Sequence, residues 1–173
     1  KTGTWRASIV LPPQTYPVAG TLEPESGDVW FTLYTYNGLG RWQPGATSIT
    51  RIPSPSARGP AFAGVHDGKV YFTYWLSNRL GAYDTRTGTF TEYAWRTGEN
   101  GGPMAMAPNG HAVVGTRNRG YIAVFDPVTQ TFTDYVIPSL NAGLKDGLTV
   151  APDGVVWFTL TFTHNKIAKL VLP

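Results

Sequence analysis

Four times along this chain a turn closing on glycine leads into a run of strand-forming residues. The turns are "ESGD" at Gly27, "HDGK" at Gly68, "PNGH" at Gly110 and "PDGV" at Gly154, spaced 41, 42 and 44 residues apart. The runs that follow read "VWFTL", "VYFTY", "AVVGT" and "VVWFTL". Each copy continues with a loop holding Asn37, Asn78, Asn118 or Asn165, then a short apolar segment: "LGRW", "LGAY", "YIAVFD" or "IAKLV". A last strand, "TSITRIP", "TFTEYAW" or "TFTDYVIP", closes the first three copies. Val, Ile, Thr, Tyr, Phe and Trp alternate with polar residues throughout, which is the period of strands rather than helices.

Four short antiparallel strands repeated at about 42 residues predict an all-β fold built of β-propeller blades. The blades are expected at about 14–55, 56–97, 98–139 and 140–173. The segments ahead of each glycine turn, "PVAG" (17–20), "PAFAG" (60–64), "PMAMA" (103–107) and "GLTVA" (147–151), are small, as strands crowded around an axis require. The fourth copy stops at "NKIAKLVLP" without an outer strand, while "TWRASIVLPP" near the N-terminus resembles the outer strands "SITRIPSP" and "TDYVIP". Residues 4–12 are therefore expected to complete the last blade, closing a ring of four four-stranded antiparallel blades and removing a free sheet edge. Two other readings stay open: part of a longer propeller, and a half-ring that reaches eight blades with a second copy.

The pattern "P-D-G-x-V-W-F-T" followed by "N-x-I-x-x" resembles the repeat of the streptogramin lyase (virginiamycin B lyase) family, most clearly over 102–138 and 146–170. The resemblance implies a propeller. In that family seven blades carry an enzyme that opens a cyclic peptide antibiotic by elimination, using magnesium with His and Glu residues. The family's "W-F-T" strand often ends in Glu, and here Leu33, Tyr74 and Leu160 stand at that place, with "VGT" in the third copy. Proton abstraction needs a base within hydrogen-bond reach and a partner acid or metal. His66 and His111 lie beside glycine turns, which leaves His164 with Glu99 as the one candidate acid–base pair. The lyase activity is not expected to transfer.

Other classes are excluded more simply. Cysteine is absent, which removes disulfides and thiolate metal sites. Net charge is +3 with no basic run, unlike a nucleic-acid binder, and no apolar run reaches a membrane span of about 18 residues. No phosphate-cradling loop, "G-x-G-x-x-G" or "H-E-x-x-H" occurs. Sparse charge (14%), many aromatics (13%) and no cysteine suggest a secreted or cell-surface setting.

Sorting charges onto the two faces of a propeller gives an asymmetry. The face of the glycine turns collects Glu23, Glu25, Asp28, Asp67, Asp84, Asp126 and Asp153, where Asp in "DG" and "D-x-x-T-G" serves as a turn cap. The opposite face, formed by the Asn loops and blade-to-blade links, collects Arg58, Arg79, Arg96, Arg117, Arg119, Lys145 and Lys166. Arginine is no turn former, so this face is the candidate binding surface. Its expected contacts are Tyr34, Tyr36, Trp75, Arg79, Arg117, Arg119, His164 and Lys166, with Trp75 beside Arg79 ready to stack on a sugar or another planar group. The expected partner is a glycan, an anionic group or a protein. No cofactor is expected beyond an axial cation or magnesium held by carbonyls. A monomer is the first expectation, with a dimer or head-to-tail stacking of oppositely charged faces as alternatives.

Overall fold

The computed structural model describes residues 8–173 except 57, 97, 119, 140–142 and 161–164. Its described residues form fifteen strands and no helix. The first sheet comprises β1 (Pro17–Leu22), β2 (Val29–Leu33), β3 (Gly38–Trp42) and β4 (Thr50–Pro53); the second β5 (Pro60–His66), β6 (Lys69–Tyr74), β7 (Arg79–Asp84) and β8 (Phe90–Ala94). The third comprises β9 (Gly101–Met106), β10 (Ala112–Thr116), β11 (Tyr121–Asp126) and β12 (Thr131–Val136); the fourth β13 (Leu148–Val150), β14 (Val156–Leu160) and β15 (Lys166–Leu170). Strands follow chain order within each sheet and pair antiparallel. The repeat glycines Gly27, Gly68, Gly110 and Gly154 have φ of 75°, 64°, 85° and 85°, a conformation that glycine enters without steric cost.

The core is three slabs between consecutive blades. Each blade has a front face towards the next blade and a back face towards the previous one, because side chains alternate along a strand. Trp30 and Leu39 on the front of blade 1 pack with Val70, Phe72 and Tyr74 on the back of blade 2. Tyr71, Leu80 and Ala82 meet Ala112, Val114 and Phe125 in the second slab, and Val113, Ile122 and Val124 meet Val156, Phe158 and Leu160 in the third. Gly81 is required in this stacking, since any Cβ there would run into the Phe72 ring.

A hydrogen bond recurs with the slabs. Inner strands β1, β5 and β9 each carry a register break after their first residue. A carbonyl inside that break is left for the previous blade: Thr32 Oγ1 donates to the carbonyl of Ala61, and Thr73 Oγ1 to that of Gly102 at 2.9 Å. In blade 3 the equivalent residue is Gly115. A Cβ there would come within 2.9 Å of Leu144 Cδ2 and 3.0 Å of Leu144 Cβ. Leu144 is fully buried, so the third copy reads "VGT" because a leucine from the link fills the place of the threonine hydroxyl.

The strand expected from residues 4–12 is not formed in its described part. Ser8–Pro12 carry no strand; Val10 is 93% exposed while Ile9 and Leu11 are half-buried, and residues 4–7 lie outside the described residues. The fourth sheet has three strands, and no sheet closes among the described residues.

Two predictions come from these slabs. Restoring the repeat threonine by Gly115→Thr overpacks Leu144 and lowers stability by about 1–3 kcal/mol in urea denaturation, although it makes the copies more alike. Tyr71 and Tyr74 are the second. Burial raises the Tyr71 hydroxyl from 10 to about 12, and burial together with Glu92 raises that of Tyr74 further. Because the folded values are raised, the stabilisation is full below pH 10 and is lost as pH climbs through about 12. Phenolate absorbance should therefore show a late component that loses amplitude in Tyr71→Phe and Tyr74→Phe.

Candidate functional site

On the loop face, near the inner strands of blades 1 and 2, lies a cleft of about 390 Å³ lined by Tyr16, Val18, Tyr34, Thr35, Ala61 and Trp75. Tyr34 follows β2 directly and its ring meets Tyr16 edge-on at 6.2 Å. The Tyr34 N–H donates to the Tyr16 carbonyl, fixing both rings to the end of the first sheet. Gly59 packs directly beneath the Tyr34 ring, and its φ of 63° is another position glycine fills readily. Trp75 follows β6, stacks on Phe62 of β5 with centroids 6.0 Å apart, and is half-buried.

The cation at this tryptophan comes from blade 3. The Arg117 guanidinium lies over the Trp75 ring at 3.7 Å, and its Nη1 donates to the Trp75 carbonyl at 3.2 Å. Arg117 Nε is buried without a hydrogen-bond partner among the described residues. Burial pushes the guanidinium below its ordinary value, while Tyr34 and Asp146 act in the opposite direction. The result is a cationic group, partly stripped of water, held by an indole at the rim of an apolar cleft.

Three of the expected contacts, Tyr34, Trp75 and Arg117, are thus brought together. Arg79 is not beside Trp75. It opens β7 and pairs with Glu92 at 3.4 Å, in a network where Glu92 also accepts from Tyr74 and Ser56, each at 2.9 Å. Tyr36 is covered by Arg51 at 4.8 Å, and Lys166 begins β15 on the fourth blade. Arg119 and His164 lie outside the described residues, and Glu99 is 1% exposed in the link between blades 2 and 3. Sequence reasoning missed Tyr16 and Phe62. Phe62 was visible as the one large residue in the small inner segment "PAFAG", whereas Tyr16 gives no comparable signal.

Three of the repeated asparagines fasten their loops to blade-to-blade links. Asn37 Nδ2 donates to the Ser56 carbonyl at 2.8 Å, and its Oδ1 accepts from the N–H groups of Arg58 at 2.9 Å and Gly59 at 3.1 Å. Asn78 donates to the Trp95 carbonyl in the link after its blade, and Asn118 to the Gly98 carbonyl in the link before its own. On the turn face, Asp84 and Asp126 accept backbone N–H bonds two and three residues on, which hold their carboxyls below the usual range. Glu23 and Asp28 are buried, the first accepting from Trp30 Nε1 and the second paired with Arg41. The acidic character of that face is turn and packing chemistry.

Among the described residues no three His, Cys, Asp or Glu side chains are grouped as metal ligands, and no helix is long and apolar enough to cross a membrane. No protein-family model and no curated protein matches the chain. Solved structures do. A catalytically inactive virginiamycin B lyase from Staphylococcus aureus with quinupristin is 19% identical, with TM-score 0.80 over 96% of this chain and 59% of the lyase. Regucalcin, a calcium-binding protein from Agrobacterium tumefaciens, is 19% identical with TM-score 0.71 over 94% of this chain and 56% of that one. The computationally designed Ika4 protein is 12% identical, with TM-score 0.74 over 98% of this chain and all of the design. The fold is streptogramin lyase-like and propeller-like, and the chain spans a little over half the length of the lyase and of regucalcin.

If the asparagines are fasteners, Asn37→Ala loses three hydrogen bonds and leaves alanine at a φ of 60°, costing about 2–4 kcal/mol in chemical denaturation. Asn37→Asp keeps the two acceptor bonds and should cost less.

Proposed function

We propose that this protein is a binding module whose loop face holds a ring-shaped ligand bearing an anionic group, a carboxylate-carrying glycan being the class that fits first. The observation that supports this reading is the Arg117 guanidinium held over Trp75 at the rim of the aromatic cleft. Trp75 is engaged by Phe62 and Arg117 and forms a rigid wall. Tyr16, 66% exposed, presents its ring to the ligand, and a sugar's C–H face stacks well on such rings. A carboxylate accepting from Arg117 makes a charge-assisted bond, stronger where water is already excluded. Because Trp75 is held by Phe62 and Arg117, little ordering cost remains at that wall on binding. A secreted or cell-surface setting suits this role.

The fold likeness to a lyase favours a second reading, an enzyme of the lyase or lactonase kind with His164 as base and Glu99 as its acid partner. A cyclic depsipeptide turned over by the wild type but not by His164→Ala supports it.

Calorimetric titration with a uronic-acid oligosaccharide and its neutral counterpart tests the preferred reading. Removing a hydrogen bond to a charged group costs about 1.5–3 kcal/mol, so Arg117→Met should weaken the acidic ligand about 10- to 100-fold and leave the neutral one unchanged. Trp75→Ala should weaken both, and Arg79→Ala neither. Unchanged affinity in both Arg117→Met and Trp75→Ala overturns this assignment of the site.

A further inference from the structure

Two walls of the aromatic cleft are joined through one residue. Gly59 lies beneath the Tyr34 ring of blade 1, where any Cβ would run into that ring. Its carbonyl accepts the Trp75 N–H of blade 2 at 2.8 Å, and the Leu76 N–H donates to the Arg58 carbonyl at 3.1 Å. Tyr34 and Trp75 therefore meet the same short link between their blades, and the gap between the two rings follows the position of that link.

The described residues of the link, Ser54 to Gly59 without 57, form no strand, so the link keeps its place through side-chain bonds made to it. Asn37 makes three of them from blade 1. Glu92, on β8 of blade 2, holds the other side. Ser56 Oγ donates to Glu92 Oε2 at 2.9 Å, the Tyr74 hydroxyl donates to Glu92 Oε1 at 2.9 Å, and the Ser54 hydroxyl is bonded to that of Tyr74. Tyr74 is fully buried and the Glu92 side chain is 13% exposed. Hydrogen bonds to an ionised carboxylate are about twice as strong as neutral ones. Arg79 adds only a contact at 3.4 Å from a side chain that is 45% exposed, a kind of pair that contributes little.

Blade 3 repeats the arrangement. Asp134 stands opposite Ala123 as Glu92 stands opposite Gly81, and it takes Arg96 from the link between blades 2 and 3 at 3.6 Å. An outer-strand carboxylate thus holds the link that enters its blade in both cases. The pair in blade 3 is more exposed, whereas the Glu92 network is buried and lies under the link that carries Gly59.

We infer, on the reading of the cleft as a ligand site, that Glu92 is a positioning residue: without touching a ligand it holds the link at which Tyr34 and Trp75 meet, and so sets the gap that a ring-shaped ligand enters. Neither its sequence context nor its distance from the cleft marks it as part of the site.

Amide hydrogen exchange of the ligand-free protein, followed by NMR, is the first measurement. Glu92→Gln removes the charge and keeps the shape, so the Trp75 and Leu76 amides, which donate to the link, should exchange about 10-fold faster. Amides of Val70 and Phe72 in the same blade should keep their wild-type rates. Equal acceleration at all four reports a general loss of stability and overturns the inference, as do unchanged rates. Ser56→Ala spares the carbonyl that Asn37 uses and should reproduce part of the effect; added to Glu92→Gln it should change little more. It also serves where Glu92→Gln does not fold. Calorimetric titration is the second measurement. Glu92→Gln should weaken the uronic-acid oligosaccharide and its neutral counterpart alike, about 10-fold, whereas Arg117→Met weakens only the acidic one. Faster exchange with both affinities unchanged overturns the positioning role and leaves the site assignment standing. A wild type that binds neither oligosaccharide overturns the site assignment itself, and with it any role of Glu92 towards a ligand.

Discussion

Each of these sheets is apolar on both faces, and a four-stranded sheet of that kind cannot remain in water by itself. Burying a large aliphatic or aromatic side chain contributes about 1.5–3 kcal/mol, and in this chain that burial is available only between blades. Trp30 and Phe72 belong to different sheets yet lie in one slab. The requirement explains why the aromatic run is rewritten with substitutions that conserve bulk across the slab rather than identity at a position. It also explains the exception. Blade 3 gives up the threonine bond at Gly115 and accepts Leu144 instead, exchanging a net hydrogen bond of about 1 kcal/mol for a fully buried leucine.

The strands and their order were legible because they rest on local chemistry: alternation of period two, and glycines whose positive φ only their type enters freely. The inner-strand register breaks were not legible, since a bulge has no fixed composition and its carbonyl is put to use by a threonine about 29 residues away. The cation at Trp75 was misread for a related reason. Arg79 is four residues from Trp75, but it already belongs to β7 and pairs with Glu92 on β8. Arg117, 42 residues distant, reaches the indole because one blade is rotated against the next. The N-terminal alternation failed differently: "SIVLPP" carries the period of an outer strand, yet Val10 packs on nothing and Pro12 and Pro13 have no N–H to give a ladder.

Charge sorting by turn and loop explains only one of the two faces. On the turn face nearly every carboxylate has a local task, either capping its own turn or paired inside the blade, so a net sign there says nothing about a partner. On the loop face the cations differ among themselves. Arg79 and Arg96 are paired with carboxylates, whereas Arg117 spends its charge on an aromatic ring and a carbonyl while burial opposes that charge. Counting arginines could not distinguish these cases. The distinguishing quantity is what each guanidinium would lose if a carboxylate arrived.

The cleft draws one residue from the register break of β1. Val18 lines the aromatic cleft, and its place in β1 is that of the carbonyl acceptors Ala61 and Gly102. In blades 2 and 3 that place is locked by a threonine from the previous blade, and Ala61, which also lines the cleft, is fully buried. In blade 1 it is 40% exposed, so one wall of the cleft is anchored from both sides and the other from one side.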